Sequence, residues 1–230
     1  MYKLLFCFLV LIFPLGQAFA SVPAPNSQAA ELAKKCPVAA AWDHQQAVRH
    51  EAKAAIKVFA LPDVRKELIA MAKADQADRN AWVASKDKKD KKAAEEKTER
   101  DDAVRLRRLK AIVKKYGALT PHLVGYGGVE AAWLLAQHSS DPAFQAHYLA
   151  LVKKRDTGLS RPNIALMTDR VRESEGKLQL YGTQFKLVPG GIKLKPIKDR
   201  AGLAARRAAM GLMPLSAYLC MSKIFYDVGS

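Results

Sequence analysis

The side chains best placed to do chemistry in this chain are polar groups fastened to apolar runs. Gln137 and His138 close the run VEAAWLLA (residues 129–136), which is apolar almost all round and therefore expected to be a buried helix. Polar groups at such an end are either satisfied within the core or line a cleft. A histidine at a helix C-terminus is favoured as the cation, by up to about 2 kcal/mol when partly buried. On that ground His138 is expected to be a proton donor or anion contact rather than a neutral base. Asp169-Arg170 and Arg206-Arg207 offer guanidinium forks for a carboxylate or phosphate, or ion pairs that tie helices together. Tyr181, Thr183 and Gln184 cluster inside GKLQLYGTQFKL (residues 176–187). That stretch reads as a β-strand whose apolar positions change parity, from Leu178 and Leu180 to Phe185 and Leu187. The buried face must therefore switch near Gly182, where a bulge or kink fits.

Other familiar chemistry is missing. His50-Glu51 begins like a zinc-protease helix, but Ala54 stands where the second ligand would be. His44 and His50 do not share a face, and no cysteine pair has zinc spacing, so no metal and no cofactor are expected. No Gly-x-Ser-x-Gly elbow is present. The glycines at 125, 127 and 128 lack the Lys-Ser/Thr pair of a phosphate loop and read as turn glycines.

The elements that must position these groups are mostly helical. Residues 1–20 read as an export leader: a positive start at Met1-Tyr2-Lys3, an apolar run over 4–15, and a small-x-small site at Ala18-Phe19-Ala20. The run falls short of the roughly 20 residues of a membrane span. An exported, periplasmic or secreted protein with no stable span is therefore expected. Cleavage leaves two cysteines, Cys36 and Cys220, in a compartment where disulfides form; they can pair or stay apart. The formal charge of +16 draws such a protein toward polyanions, here envelope polymers or lipid headgroups rather than nucleic acid.

Helical spacing runs from Val38 to about Ala60, interrupted before it by Pro37. It restarts at Leu61-Pro62-Asp63, with Leu68, Met71, Ala72 and Trp82 as a buried stripe. Asp75 and Arg79 on that helix can pair across one turn. Residues 85–99, SKDKKDKKAAEEKTE, are a charged linker or a solvent-exposed helical extension, without the aromatic residues that nucleic-acid stacking needs. An amphipathic helix with Leu106, Leu109, Val113 and Tyr116 closes at Gly117, and a loop is expected over 120–128. Asp141-Pro142 opens the next helix, and another spans about Pro162 to Val171. Pro189-Gly190-Gly191 turns the strand back through Ile192, Leu194 and Ile197 with lysines outward. Asp199 is placed to cap a helix carrying Arg206-Arg207, and Pro214 opens the last one.

These blocks together resemble a bacterial family catalogued as a domain of unknown function. The resemblance rests on DQADR at 75–79, RLKAIVKKYG at 108–117, AAWLLAQH at 131–138 and FQ at 144–145. It continues with LMTDRV at 166–171, GKLQLYGTQF at 176–185 and RRAAMGLMPLSAY at 206–218. Members often carry Gly-Trp-Pro-Thr where this chain has Gly117-Ala118-Leu119-Thr120. The family implies shared polar residues (the QH, DR, QxYGTQF and RRxxxGL blocks) and no activity.

The expected fold is mainly α with a small antiparallel β-hairpin, one compact α+β domain. Residues 21–60 form an N-terminal helical region, and 61–230 form the family-like domain with a charged insertion at about 85–99. The expected function is a small-ligand or catalytic cleft preferring an anionic group, with His138 as the catalytic residue. Gln137, Asp169, Arg170, Tyr181, Thr183, Gln184, Arg206 and Arg207 would bind the ligand. The alternative is a basic, envelope-associated interaction protein without catalysis. No motif names a reaction, so the sequence leaves open whether the chain is an enzyme.

Overall fold

The computed structural model describes residues 26–53 and 58–228, with side chains over 30–46 and 58–228. The leader lies outside the described residues. Helices α1 (Asn26–Lys35) and α2 (Pro37–Lys53) meet at Pro37, as the proline predicts. Both pack on the last helix, α9 (Leu215–Phe225). A disulfide between Cys36 and Cys220 joins them there, with Cα atoms 5.9 Å apart. Trp42 Nε1 donates to the Gly211 carbonyl at 2.9 Å on the same side.

The core is built on α3 (Pro62–Ala84), α4 (Lys88–Tyr116) and α5 (Pro121–His138), which pack against one another. Leu68, Ala72, Leu109, Ile112 and most of α5 are buried between them. The segment 85–99 is not a linker. Asp87 caps α4 by accepting from Asp90 N, and the charged residues form the first half of one 29-residue helix that ends at Gly117. The loop expected over 120–128 is also helical. Pro121 starts α5, and the chain kinks at Gly125, whose φ is +66°. A Cβ there would meet the Phe59 ring at 2.6 Å, so the glycine serves both backbone and packing. Ala118 and Leu119 lie in the core.

Helices α6 (Pro142–Lys154) and α7 (Arg161–Ser174) follow, capped by Asp141 and Ser160. Trp133 Nε1 on α5 donates to the Asn163 carbonyl of α7 at 3.1 Å. The hairpin pairs β1 (Phe185–Val188) with β2 (Gly191–Leu194), antiparallel through the predicted turn. Phe185, Leu187, Ile192 and Leu194 face the core, while Lys186 and Lys193 lie opposite each other, exposed. A short α8 (Leu203–Ala209) precedes α9. Its N-cap is Gly202, and Asp199 acts one step earlier by accepting from Gly202 N at 3.2 Å.

The long strand expected over 176–187 is cut to its last residues. Residues 176–184 are turns and loop, with one isolated parallel bridge between Gln179 and Ile197. The predicted switch of buried face is not seen: Leu178 is exposed and Gln179 buried, and Gly182, where φ is +66°, turns the loop that leads into β1. The N–H groups of Leu180, Tyr181 and Thr183 in this loop donate to the Asp169 carboxylate instead.

Candidate functional site

His138 is the last residue of α5 and is 2% exposed. Its Nδ1 lies 2.6 Å from Asp75 Oδ2 and 2.7 Å from Arg79 Nε, both on α3. Arg79 reaches Asp75 through Nη2 at 3.1 Å, the one-turn pair that their spacing predicts. The same nitrogen donates to Asp102 Oδ2 of α4 at 2.7 Å. The alternation of charge continues outward. Arg105 bonds Asp102 and Asp78, each at 2.8 Å, and Lys97 pairs with Asp78 and, at 2.7 Å, with Asp101. The chain of ion pairs thus runs from a solvent-facing lysine to a buried imidazole.

Burial alone would raise the Asp75 carboxyl. The neighbouring His138 and Arg79, with the bond from Gln76, outweigh burial and hold it well below the usual carboxylate range. Burial pushes the His138 imidazole below its ordinary value, and the Arg79 guanidinium adds to this against the pull of Asp75. The cationic His138 expected from its helix-end position is therefore corrected. The helix terminus is too small an effect to offset full burial beside a fixed cation.

Nδ1 has one hydrogen-bonding position and two claimants. An ionised carboxylate 2.6 Å from a bare imidazole lone pair would be strongly repelled. Arg79 Nε–H, for its part, can donate only to a ring lone pair, while its Nη2 serves both Asp75 and Asp102. A proton on Nδ1 is directed at Asp75 and leaves the lone pair on Nε2, whereas a lone pair on Nδ1 accepts from Arg79 and puts the proton on Nε2. Nε2 is buried and has no hydrogen-bond partner among the described residues. Both amide atoms of Gln137, which is fully buried, and Ser139 Oγ share that condition. Gln145 Nε2 anchors the backbone here, donating to the Gln137 and Ser139 carbonyls at 3.1 and 2.9 Å.

The remaining predicted site residues assemble elsewhere. The Asp169 carboxylate of α7 is fully buried and accepts from Leu180 N at 2.6 Å, from Tyr181 N and Thr183 N at 3.1 Å, and from Thr183 Oγ1 at 2.9 Å. Gln184 Nε2 donates to Thr183 Oγ1 at 3.0 Å, and Tyr218 Oη donates to the Thr183 carbonyl at 2.6 Å. Arg206 bonds the Leu180, Lys198 and Asp199 carbonyls and the Asp199 carboxylate. Arg207 bonds the Met213 and Tyr181 carbonyls at 2.8 and 2.6 Å. These guanidinium groups mainly hold loop carbonyls, and Arg207 Nη2 is buried without a partner among the described residues. Arg170, next to Asp169 on α7, is buried and feels the Arg79 charge. Burial first and that repulsion second bring it down to about 10.

Sequence reasoning missed Asp78, Lys97, Asp102 and Arg105. A usable signal was present. Thr98, Asp102, Arg105, Leu109 and Ile112 follow one helical stripe, so the polar members continue the line of the core residues. No group of three or more metal-ligating side chains occurs among the described residues, and no helix among them is long and apolar enough to cross a membrane.

The matched segment of a family of unknown function (DUF6624) spans residues 62–228, from the start of α3 to beyond α9. The chain belongs to this family. Its domain therefore contains the His138 cluster, the Asp169 loop and the hairpin, and leaves α1 and α2 outside. No curated protein and no solved structure matches the chain.

Proposed function

We propose that this is an exported protein whose DUF6624 domain holds a small-ligand site at the His138 end of α5. His138 Nε2 acts there as a base or hydrogen-bond acceptor, and Asp75 and Arg79 fix the imidazole's orientation and charge. The observation that carries the reading is the contrast within one ring. Nδ1 lies between two charged groups, Asp75 and Arg79, while Nε2 is buried without a partner among the described residues. Buried polar atoms are rarely left so, and such exceptions occur at catalytic or binding groups. The leader at residues 1–20 and the Cys36–Cys220 bridge support export to an oxidising compartment. The preference for an anion is weakened, because Arg206 and, except at Nη2, Arg207 are bonded to loop carbonyls.

Nitrogen-15 NMR of the histidine rings tests the reading. Nε2 of His138 is expected unprotonated at neutral pH, with a resonance that moves when a panel of small carboxylates, phosphates and amides is titrated. A protonated Nε2, or one that no member of the panel shifts, removes it. One observation favours a second reading, a basic surface for anionic envelope material. Lys186 and Lys193 are cross-strand partners of like charge, an arrangement that costs stability unless an anion relieves it. Vesicle binding that is indifferent to salt and to Lys186→Gln/Lys193→Gln excludes it.

A further inference from the structure

We propose that the Gln137 side chain reads a neutral amide-type group, one acceptor beside one donor, on a small ligand bound where α5 faces α7. This rests on the His138 site only in naming a ligand for the same end of α5. Gln137 is fully buried, and its Nε2 and Oε1 have no hydrogen-bond partner among the described residues. The side chain lies one helical turn beyond Trp133, whose Nε1 is bonded to the Asn163 carbonyl of α7. It therefore continues the side of α5 that meets α7, while His138 turns toward α3. The backbone at this point is held by Gln145, so the amide stands on a fixed support.

A buried carboxamide with both functions open is an unfavourable arrangement for stability alone, because leucine or methionine would fill the same space without the desolvation cost. The chemistry that satisfies it is complementary: a group presenting a carbonyl and an N–H side by side, as in a primary amide or a lactam. A carboxylate answers only the donor half and leaves Oε1 facing a like charge.

The test uses acetamide as the probe and acetate as its charged counterpart, with the purified protein. Acetamide is expected to shift the Gln137 side-chain NH2 resonances and to occupy the site in soaked crystals, and acetate is expected to do neither. Gln137→Leu and Gln137→Met are each expected to raise the melting temperature by about 2–4 °C. Each should also weaken acetamide binding at least about tenfold. Three results overturn the proposal: an ordered water in place of acetamide in the crystals, equal acetamide affinity in the protein and both variants, or a fall in melting temperature for both variants. His138→Gln separates the two readings. Acetamide binding that survives it, together with an Nε2 proton at neutral pH, removes the His138 base and leaves the Gln137 site standing.

Discussion

Asp75 and Asp169 are both fully buried aspartates on helices of the same domain, and their surroundings push them in opposite directions. Asp75 faces charged side chains, and their charges and hydrogen bonds outweigh burial, so its carboxyl is held far below the ordinary value. Asp169 faces backbone N–H groups and one hydroxyl. Burial outweighs these dipoles, and its carboxyl is raised. The partners decide the role. Backbone donors cannot titrate or move without the loop, so Asp169 is a fixed cradle that shapes residues 180–183. His138 and Arg79 are side chains whose protonation and position can respond to a ligand. Open atoms lie at Nε2 of His138 and at Gln137 on the responsive side, and at Arg207 Nη2 beside the loop.

The largest expected effect breaks the cradle. Asp169→Ala leaves several buried N–H groups unsatisfied and should cost about 3–5 kcal/mol in urea unfolding. A loss under about 1 kcal/mol would mean that the loop is held by Arg206, Arg207 and Tyr218 instead. Asp75→Ala comes next, at about 2–4 kcal/mol, because it takes the carboxylate from the buried His138 ring and leaves the half-buried Arg79 with Asp102 alone. It should also move the His138 ring to a mixture of tautomers, visible in the nitrogen-15 spectrum, which Asp169→Ala should leave alone. If both variants alter the ring equally, the two regions are one unit and the comparison fails.

A smaller effect appears with pH. The folded-state value of His138 lies below the ordinary value of about 6.5. As pH falls through that value the unfolded chain takes up a proton that the folded protein refuses. Stability is therefore complete above about pH 6.5 and is lost as pH falls toward the folded value, by up to about 1.4 kcal/mol per pH unit. Unfolding midpoints measured from pH 7.5 to 5 should show this slope, and His138→Gln should flatten it. Asp75 adds the same sign only below about pH 3.9, whereas Asp169, being raised, loses stability as pH climbs through its folded value. The smallest effect is at the exposed end of the ion-pair chain. Lys97→Ala should leave the melting temperature unchanged, because solvent screens that pair. A measurable drop would show that the outer helix of the charged arm holds the inner pairs in place.

The sequence by itself determined most of the helices and the hairpin turn, because these follow from neighbours three or four residues apart or from Pro, Gly and Asp at fixed offsets. Pro37, Gly117, Asp141 and Pro189-Gly190 all act that way. The Asp75–Arg79 pair was legible for the same reason. Where local pattern misled, a distant group had intervened. Residues 176–184 carry strand-like composition, but their N–H groups bond Asp169, 11 to 14 residues earlier, so no ladder forms. Only the tertiary structure decided that His138 meets Asp75 and Arg79, 63 and 59 positions away, and that the Arg206 and Arg207 guanidinium groups close on carbonyls. Hydrogen bonds between polar groups on different elements depend on helix packing and rotation. Residue type says that a buried polar group needs a partner, and the packed core alone selects which one it gets.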